Sequence, residues 1–548
     1  MRILFSTVLV VGLFLQTPSA QQARVVPASS RPKLVVIIAV DQMRADYIDR
    51  YRGQWSSGLK KLVSEGAWFR QADYPYYTTV TCAGHFSIST GAPPAVHGMT
   101  ANTWWEQGAT RNVACTADDT KTLVSYGAPL KSVGQSAARL MTTTFADELR
   151  LQEAVAPRIV SISLKARSAI GLVGHTPDAV IWMDEETGDW ATSTAFAKEP
   201  APYFAAYVRA HPVKDEVGRT WDRALPKERY LFDGSATGRQ KTALATKAFP
   251  HIVKGASLVM DNTFTDAWES SPYSDAYLGA LAAAAIDGLK LGNGAGTDYL
   301  GVSFSALDKV GHDFGPDSYE VQDVLIRLDQ TIGTLLDKLD RDVGRNNYVL
   351  ALSADHGVSP IPEKVQAQGL DAGRISTTSI GAAIDAVLAR ELGPGTYRTR
   401  VAFSEIFFNA GVYDRLLQNP RAMDAVMKTI QDSPGVRRVY RQETLLAIEN
   451  EVDPLVHAAA LSHYPGRNGE MFMVARAYWI AGPTTVTHGS GHRYDTHVPV
   501  VLFGGGVKTG EYLLPASPLD IAPTLAFLTG VTLPDATGRV LVEALAKQ

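Results

Sequence analysis

Six strongly apolar, β-branched runs recur along the chain, and each is followed by a loop or a helical segment. The runs are KLVVIIAVD, RIVSISLKAR, DAVIWMD, YLGVSFSALD, NNYVLALSAD and HVPVVLFGGG, which end at Asp41, Arg167, Asp184, Asp308, Asp355 and Gly506. None alternates apolar with polar positions, which indicates strands buried on both faces. Helical patterns such as VQDVLIRLDQTIGTLLDKL separate them. The pattern predicts an α/β fold with a mixed, mostly parallel central sheet sandwiched by helices, and ligands bind such sheets beyond the carboxyl ends of the strands.

Two stretches depart from this pattern. Residues 365–480 alternate amphipathic helical segments, such as AAIDAVLAREL and AMDAVMKTIQDS, with short apolar runs. Residues 168–290 are rich in Trp, Tyr, Pro and Ala. We therefore expect one domain over residues 31–545, with a small α+β subdomain inserted at 365–480 and a second insertion at 168–290 that roofs the site.

The N-terminus reads MRILFSTVLVVGLFLQTPSA, with a positive Arg2, an apolar run and small residues at Ser19 and Ala20. This arrangement is typical of an export signal, residues 1–20, and the run is too short to span a bilayer. The alternative is a retained, buried helix. No later segment reaches the apolar length of a transmembrane helix, so we expect a mature chain without a membrane span, in the periplasm or secreted.

Composition narrows the function classes. The chain has 548 residues, of which 45% are hydrophobic and 20% charged, and its formal net charge is −4. These values indicate a globular protein without the basic surface that nucleic acid requires. Cys82 and Cys115 are its two cysteines. In an oxidising compartment they can form one disulfide, with two free thiols as the alternative, in which case Cys82 would be the most nucleophilic group of TTVTCAGHFSISTG.

Aspartates end three of the apolar runs, at Asp41, Asp308 and Asp355. A single such residue is usually a helix cap or a turn former. Histidines accompany two of them, however. His312 follows Asp308 by four residues, so one helical turn would place both on the same face as two ligands of one metal. His356 directly follows Asp355, and this pair can chelate only from a turn at a strand end.

A third group of histidines completes the candidate metal site. The late segment THGSGHRYDTH supplies His488, His492 and His497. Three carboxylates and three imidazoles divide into two three-ligand sites with open positions, a pattern typical of catalytic zinc, and imidazoles favour Zn²⁺ over Mg²⁺. Two divalent ions outweigh three carboxylates, so the site favours an anion, and paired metals suit phosphoryl transfer. Independent caps and core histidines are the alternative interpretation.

With these motifs the chain resembles the alkaline phosphatase superfamily, and most closely its periplasmic, PafA-like phosphate monoesterases, which use a threonine nucleophile. The resemblance extends from VVIIAVDQMRADY through TVTCAGHFSISTGAPPAVHGMTANTWW, SLKARSAI, DKVGHDFGP, LSADHGVSP and THGSGHRYDTHVPVVLFG to DIAPTLAFLTGV. It implies an alkaline-phosphatase-like fold with inserted cap regions. It also implies two Zn²⁺ ions, one bound by Asp308, His312 and His488 and the other by Asp41, Asp355 and His356. The family's ligand lies in an HG element, which favours His488 over His492 and His497.

The same resemblance assigns the remaining site residues. Thr81 matches the nucleophile, and its hydroxyl would need a metal to become an alkoxide. Asn102 matches a residue that hydrogen-bonds a phosphoryl oxygen. Lys165 and Arg167, which an extended strand would project from one face, match a pair that contacts phosphoryl and leaving-group oxygens. His85 is expected to pack beneath the site.

The sequence therefore predicts an exported alkaline phosphatase that hydrolyses small-molecule phosphate monoesters through a phosphothreonine intermediate and acts as a monomer. The cationic pair favours a monoester, whose phosphoryl group carries about two negative charges, over a diester, which carries one. A phosphodiesterase or nucleotide pyrophosphatase of the same superfamily is one alternative. A protein that binds phosphate or zinc without turnover is another.

Overall fold

The computed structural model describes most of the chain. The described residues are 31–106, 111–130, 132–231, 248–447, 453–482 and 484–546. The predicted export signal, residues 1–20, lies outside them and stays a prediction. Within the described ranges, no helix combines the length and the apolar character that crossing a bilayer requires.

Strands and helices alternate along most of the chain. The strands are β1 (Leu34–Val40), β2 (Ala67–Ala72), β3 (Thr103–Glu106), β4 (Arg111–Ala114), β5 (Ala117–Ser125), β6 (Val133–Gln135), β7 (Ile159–Ser163), β8 (Ala179–Met183), β9 (Trp190–Ser193), β10 (Arg219–Trp221), β11 (His251–Val253), β12 (Asp298–Phe304), β13 (Tyr348–Ser353), β14 (Gly373–Ile375), β15 (Arg400–Ala402), β16 (Glu405–Phe407), β17 (Val436–Arg441), β18 (Met471–Ala475), β19 (Trp479–Ala481), β20 (Val500–Gly504) and β21 (Gly510–Ala516). The helices are α1 (Asp46–Tyr51), α2 (Gly58–Glu65), α3 (Thr81–Thr90), α4 (Pro94–His97), α5 (Phe145–Gln152), α6 (Ala166–Val173), α7 (Pro202–Ala210), α8 (Asn262–Glu269), α9 (Pro272–Leu289), α10 (Ala306–Phe314), α11 (Tyr319–Asp342), α12 (Pro362–Ala367), α13 (Thr377–Leu392), α14 (Val412–Leu417), α15 (Pro420–Gln431), α16 (Gln442–Leu446), α17 (Pro454–Leu461), α18 (Arg493–Thr496) and α19 (Ile521–Thr529).

An eleven-stranded sheet in the described part of the chain organises the fold, in the order β21-β2-β20-β13-β1-β12-β7-β8-β9-β5-β6. Strands β13, β1, β12, β7 and β8 run parallel to one another, whereas β20 pairs antiparallel with β13 and β9 with β8. The six apolar runs of the sequence correspond to β1, β7, β8, β12, β13 and β20. The predicted α/β fold with a mixed, mostly parallel central sheet is therefore confirmed.

Strand β1 shows why its apolar run does not alternate. All seven of its residues are buried. Leu34, Val36 and Ile38 contribute to a core on one face of the sheet, together with residues of α2, α9 and α11. Val35 and Ile37 contribute to a second core, with residues of α3, α5, α6 and α19. Because helices cover both faces, each buried Val or Ile side chain of β1 stabilises the fold by about 1.5–3 kcal/mol.

The two predicted insertions differ in how they relate to this sheet. Within 365–480, strands β15, β16, β18 and β17 form a separate sheet. Residues of α13 and α15 share a hydrophobic cluster with it. Within 168–290, however, β8 and β9 belong to the central sheet. The boundaries of the insertions themselves stay a prediction.

The carboxyl ends of three adjacent strands define the edge where the site lies. Strand β1 lies between β13 and β12, with Val40 in register with Phe304 and Ala39 with Ser353. The three strands therefore end at one level. Asp41 directly follows β1, α10 begins two residues after β12, and Asp355 lies two residues beyond β13.

Candidate metal centre and nucleophile

Asp308 and His312 lie one turn apart in α10, on the same face. His312 Nε2 is 3.2 Å from Asp308 Oδ1, as the four-residue spacing predicts. The structure differs from the sequence interpretation in one respect. Asp308 does not end a strand, because β12 stops at Phe304 and α10 begins at Ala306. The helix therefore sets the separation of the two side chains.

The six predicted ligands converge, but they divide differently from the expectation. The ligand atoms of Asp308, His312 and His488 lie within 4.8 Å of one another, and so do those of Asp41, Asp308 and His356. Asp308 thus belongs to both clusters and takes the place expected for Asp355 in the second. Asp355 Oδ2 nevertheless lies 3.4 Å from His356 Nε2, and Asp41 Oδ1 lies 3.5 Å from it.

The other two late histidines point elsewhere. His492 Nε2 lies 3.0 Å from the carbonyl oxygen of Ala475. His497 Nδ1 lies 3.0 Å from the carbonyl oxygen of Ala72. His488 is therefore the one of the three histidines that joins a cluster.

Backbone carbonyls fix the tautomer of all three clustered imidazoles. The Nδ1 atoms of His312, His356 and His488 each lie 2.9 Å from a carbonyl oxygen, of Val486, Gly357 and Thr79 respectively. Because a carbonyl only accepts hydrogen bonds, Nδ1 carries the proton, and in the neutral ring Nε2 keeps its lone pair. This is the arrangement that metal-binding histidines usually have.

Three buried acceptor atoms at the second cluster have no hydrogen-bond donor. They are Asp41 Oδ1, Asp355 Oδ2 and His356 Nε2. Burial lowers the pKa of His356, so its Nε2 is not protonated at neutral pH. Lone pairs that face one another in a buried site are costly unless a cation lies between them. The residues therefore fit a metal ion, and a mixed nitrogen and oxygen donor set suits Zn²⁺.

The charge balance points the same way. Lys165 Nζ lies 2.5 Å from Asp41 Oδ2 and 2.6 Å from Asp308 Oδ2. Burial alone would raise the pKa of Asp308, but Lys165 and His312 hold it well below its ordinary value. Burial, with the nearby Asp308 and Asp355 carboxylates, raises the pKa of Asp41 well above its ordinary value. One ammonium thus does not compensate the three carboxylates, and a divalent cation would supply the missing charge.

Gln42 is a site residue that the sequence did not reveal. Its Nε2 donates to Asp308 Oδ1 at 2.6 Å, and its backbone N–H donates to Asp355 Oδ1 at 3.1 Å. Its φ of 69° is in the left-handed region, which is rare for a residue other than glycine. The backbone turn after Asp41 therefore fixes two carboxylates at once. The only signal in the sequence was its position next to Asp41.

His85 packs beneath the site, as expected. It is fully buried, and its Nδ1 lies 2.9 Å from the carbonyl oxygen of Thr81 and 3.2 Å from Asp355 Oδ2. Its Nε2 lies 2.8 Å from Ser303 Oγ. His85 therefore lies between the start of α3, to which it is hydrogen-bonded, and the Asp355 carboxylate.

Thr81 is the first residue of α3 and is 2% exposed. The first N–H groups of a helix lack partners within the helix and favour an anion near them. Gly84 lets α3 approach the metal ligands closely, since a Cβ at this position would lie 2.2 Å from the carbonyl oxygen of Asp355. The helix therefore presents Thr81 beside the carboxylate–imidazole clusters.

Cys82 forms a disulfide with Cys115, so it is not a free thiol. This excludes Cys82 as the nucleophile in TTVTCAGHFSISTG. The backbone N–H of Cys82 donates to Asn102 Oδ1 at 2.8 Å. Asn102 therefore lies against the N-terminal turn of the helix that begins with Thr81.

The expectation that Lys165 and Arg167 project from one face of a strand is wrong. Strand β7 ends at Ser163, whose Oγ accepts the N–H of Lys165 at 3.3 Å, and α6 begins at Ala166. The polar turn at Ser163 ends the strand before the cationic pair. Lys165 reaches the carboxylates of the metal centre. Arg167 instead lies in the first turn of α6, with its Nη1 3.3 Å from Glu185 Oε1.

Arg167 and Asn102 both line a cavity of about 460 Å³. Cys115 and Glu185 also belong to its wall. The three predicted phosphoryl-binding residues therefore lie in two places. Lys165 lies at the metal centre, and Asn102 and Arg167 line this cavity.

The sheet carries clustered carboxylates and imidazoles beside a buried threonine at its carboxyl edge. This fold and this site define the class of protein, which is the hydrolases of the alkaline phosphatase and phosphodiesterase superfamily. The chain belongs to the type I phosphodiesterase / nucleotide pyrophosphatase family, whose family model matches residues 35–456. It is 31% identical to alkaline phosphatase PafA of Elizabethkingia meningoseptica over 96% of each chain.

Solved structures agree with this assignment. The crystal structure of wild-type alkaline phosphatase PafA matches with a TM-score of 0.85 and 29% identity, over 94% of this chain and 99% of that one. A PafA variant in which one threonine, one asparagine, one lysine and one arginine are replaced matches with a TM-score of 0.83 and 28% identity, over the same shares of the two chains. The resemblance and the fold class inferred from the sequence are confirmed.

Proposed function

We propose that the chain is an exported, zinc-dependent alkaline phosphatase that hydrolyses phosphate monoesters through a phosphothreonine intermediate. One observation carries the proposal. Three buried atoms that lack a donor, on Asp41, Asp355 and His356, lie beside the helix that begins with Thr81. Export to the periplasm or the medium rests on residues 1–20 alone.

Two Zn²⁺ ions are the proposed cofactors. Asp308, His312 and His488 would hold one ion, and Asp41, His356 and Asp355 the other, with the Asp308 carboxylate close to both. When bound, the ions would lower the pKa of a nearby hydroxyl and stabilise charge on phosphoryl and leaving-group oxygens.

Thr81 carries the covalent step. Its hydroxyl releases its proton to water, and Oγ1 attacks phosphorus while the bond between phosphorus and the ester oxygen breaks. The departing alkoxide takes up a proton from water and leaves as the alcohol. Water then attacks the phosphothreonine, which releases inorganic phosphate and restores the hydroxyl. The N-terminal turn of α3 favours a negatively charged phosphoryl group beside Thr81, because the helix dipole places partial positive charge at that end.

Three side chains would hold the phosphoryl oxygens. Asn102 offers two amide N–H donors and Arg167 a planar fork of donors, which suit the equatorial oxygens of the transition state. Lys165 is bound to Asp41 and Asp308, so its role requires that it exchange a carboxylate for a phosphoryl oxygen.

The PafA variant supports this set of four residues. Its replaced threonine, asparagine, lysine and arginine stand in the same order as Thr81, Asn102, Lys165 and Arg167, and their spacings agree to within one residue. The match concerns sequence positions, and we extend it to this chain as part of the proposal.

A phosphodiesterase activity is the second candidate, because the family model that matches residues 35–456 describes phosphodiesterases and nucleotide pyrophosphatases. Two cationic side chains favour the dianionic phosphoryl group of a monoester over a monoanionic diester. The ratio of the rates on p-nitrophenyl phosphate and bis-p-nitrophenyl phosphate distinguishes the two. We expect it to exceed one in the wild type and to fall when Lys165 and Arg167 are replaced by alanine.

The proposed chemistry is tested by phosphate release from p-nitrophenyl phosphate with zinc and with a chelator. Thr81→Ala should lower kcat by about 10⁴-fold or more, since a nucleophile is lost. Thr79→Ala is the matched control, because Thr79 is also buried and its Oγ1 donates to the carbonyl oxygen of Ser490. No turnover by the zinc-loaded wild type would instead favour a protein that binds phosphate or zinc without catalysis.

A further inference from the structure

Asn102 is fixed to the start of α3 by three connections. Its Oδ1 accepts the N–H of Cys82 at 2.8 Å. Its carbonyl oxygen accepts the N–H of Cys115 at 2.9 Å. The disulfide between Cys82 and Cys115 closes the ring covalently. Asn102 is therefore connected to Cys82, the residue after Thr81, directly through its side chain and indirectly through Cys115.

These contacts also determine which way the amide of Asn102 points. A backbone N–H can only donate, so the atom that faces Cys82 is the amide oxygen and not the nitrogen. Nδ2 is consequently directed away from the helix terminus. Asn102 and Arg167 line the same cavity, and Nδ2 has no hydrogen-bond acceptor among the described residues, so it can donate to a phosphoryl oxygen.

The disulfide anchors the segment that carries Asn102. Asn102 immediately precedes β3 and Cys115 immediately follows β4, and these two strands form a separate two-stranded sheet. Trp104 of β3 also packs into the hydrophobic core that contains residues of α3. The disulfide attaches the base of this hairpin to α3, which is packed against the central sheet.

We propose that the Cys82–Cys115 disulfide is a positioning element of the active site, which holds the Asn102 amide at a fixed distance from Thr81. This inference rests on the proposed phosphatase function. Both cysteines are fully buried, which protects the bond from thiols in the folded protein. The disulfide therefore acts as a permanent tether and not as a redox switch.

A double-mutant cycle separates this role from general stabilisation. The four proteins are the wild type, Asn102→Ala, the double variant Cys82→Ala/Cys115→Ala, and the triple variant that combines all three substitutions. Their kcat/KM for p-nitrophenyl phosphate is measured with saturating zinc, below the unfolding temperature of the least stable protein. Asn102→Ala should lower kcat/KM by about 10²- to 10³-fold, because a transition-state donor is lost. The double variant should lower it by about 10- to 100-fold, because the donor is misplaced.

The decisive result is the effect of the cysteine substitutions in the Asn102→Ala background. If the disulfide acts through Asn102, its removal there should cost less than about threefold. A wild-type kcat/KM in the double variant would overturn the proposal. An equal loss in both backgrounds would also overturn it, because the disulfide would then act on the fold as a whole.

Two further measurements keep the test informative. If the double variant does not fold, Cys82→Ser/Cys115→Ser takes its place, alone and combined with Asn102→Ala, and the same comparison is made. The affinity for inorganic phosphate, measured by calorimetry on the same four proteins, should show the same dependence on Asn102. If the wild type does not hydrolyse the ester, the phosphatase proposal fails, while the phosphate affinities still decide whether the tether positions Asn102.

Discussion

Gly84→Ala tests how closely α3 must approach the candidate metal centre. Gly84 is buried, three residues after Thr81. A Cβ added there would lie 2.2 Å from the carbonyl oxygen of Asp355, 2.5 Å from its Cβ and 2.6 Å from its Cα. No side-chain rotation relieves these contacts, because they involve the backbone and Cβ of Asp355. The substitution must therefore move the helix away from this ligand.

The structure gives the size of the effect. Carbon atoms pack at about 3.5–4.0 Å, so α3 and Asp355 must separate by more than about 1 Å. Overpacking of this kind costs about 1–3 kcal/mol, and the better helix propensity of alanine recovers at most about 1 kcal/mol. We expect Gly84→Ala to be destabilised. A displacement of about 1 Å between Thr81 and the metal ligands should also lower kcat/KM by about 100-fold.

The assay combines kcat/KM for p-nitrophenyl phosphate with unfolding in urea. Gly53→Ala is the matched control, because no atom lies within 4 Å of its added Cβ. The control should keep both the activity and the stability of the wild type. A Gly84→Ala protein with wild-type kcat/KM and stability would refute the close approach of α3 to Asp355.

Three further predictions concern stability and metal binding. Burial raises the pKa of Glu405 from 4.5 to about 7. Between pH 4.5 and 7 the folded chain therefore holds a proton on Glu405 that the unfolded chain has released. The free energy of unfolding should fall by about 3 kcal/mol as the pH rises from 4.5 to 7. Glu405→Gln should flatten this slope in urea titrations, and an unchanged slope would contradict it. Asp275 accepts the N–H groups of Ser305 and Ala306 at the start of α10, at 2.9 and 3.1 Å. Asp275→Ala should weaken zinc affinity about 10-fold or more in a chelator competition, and Asp275→Asn should restore it. Wild-type affinity in the alanine variant would show that these hydrogen bonds at the start of α10 do not position the metal ligands. Zinc at 100 times the Kd of each site should stabilise the wild type by about 2.7 kcal/mol per bound ion in thermal unfolding and His356→Ala by less, and equal shifts would argue against the second cluster.

The parts of the fold that the sequence predicted are those encoded by local pattern. The run LVVIIAV of β1 is apolar at every position because both faces of the strand are buried, so periodicity alone identifies a central strand. The four-residue spacing of Asp308 and His312 likewise corresponds to one helical turn. Both inferences needed only neighbouring residues.

The parts that the sequence could not predict depend on where a strand stops and on contacts between distant segments. The apolar run that ends in Lys165 and Arg167 gave no sign that β7 would end at Ser163. Gln42 carries no pattern, since its role follows from a left-handed backbone turn. The contact between Asn102 and Cys82 joins residues 20 positions apart in different elements. Such contacts are set by tertiary packing and leave no periodic signal.

The most direct test of the central claim is the site of covalent phosphorylation during turnover. The zinc-loaded wild type is mixed with excess p-nitrophenyl phosphate, quenched in acid within one turnover, digested and analysed by mass spectrometry. We predict one phosphoryl group on Thr81, in the peptide that also contains Cys82, and none in Thr81→Ala. Turnover with the phosphoryl group on another residue would contradict the assignment of Thr81 as the nucleophile.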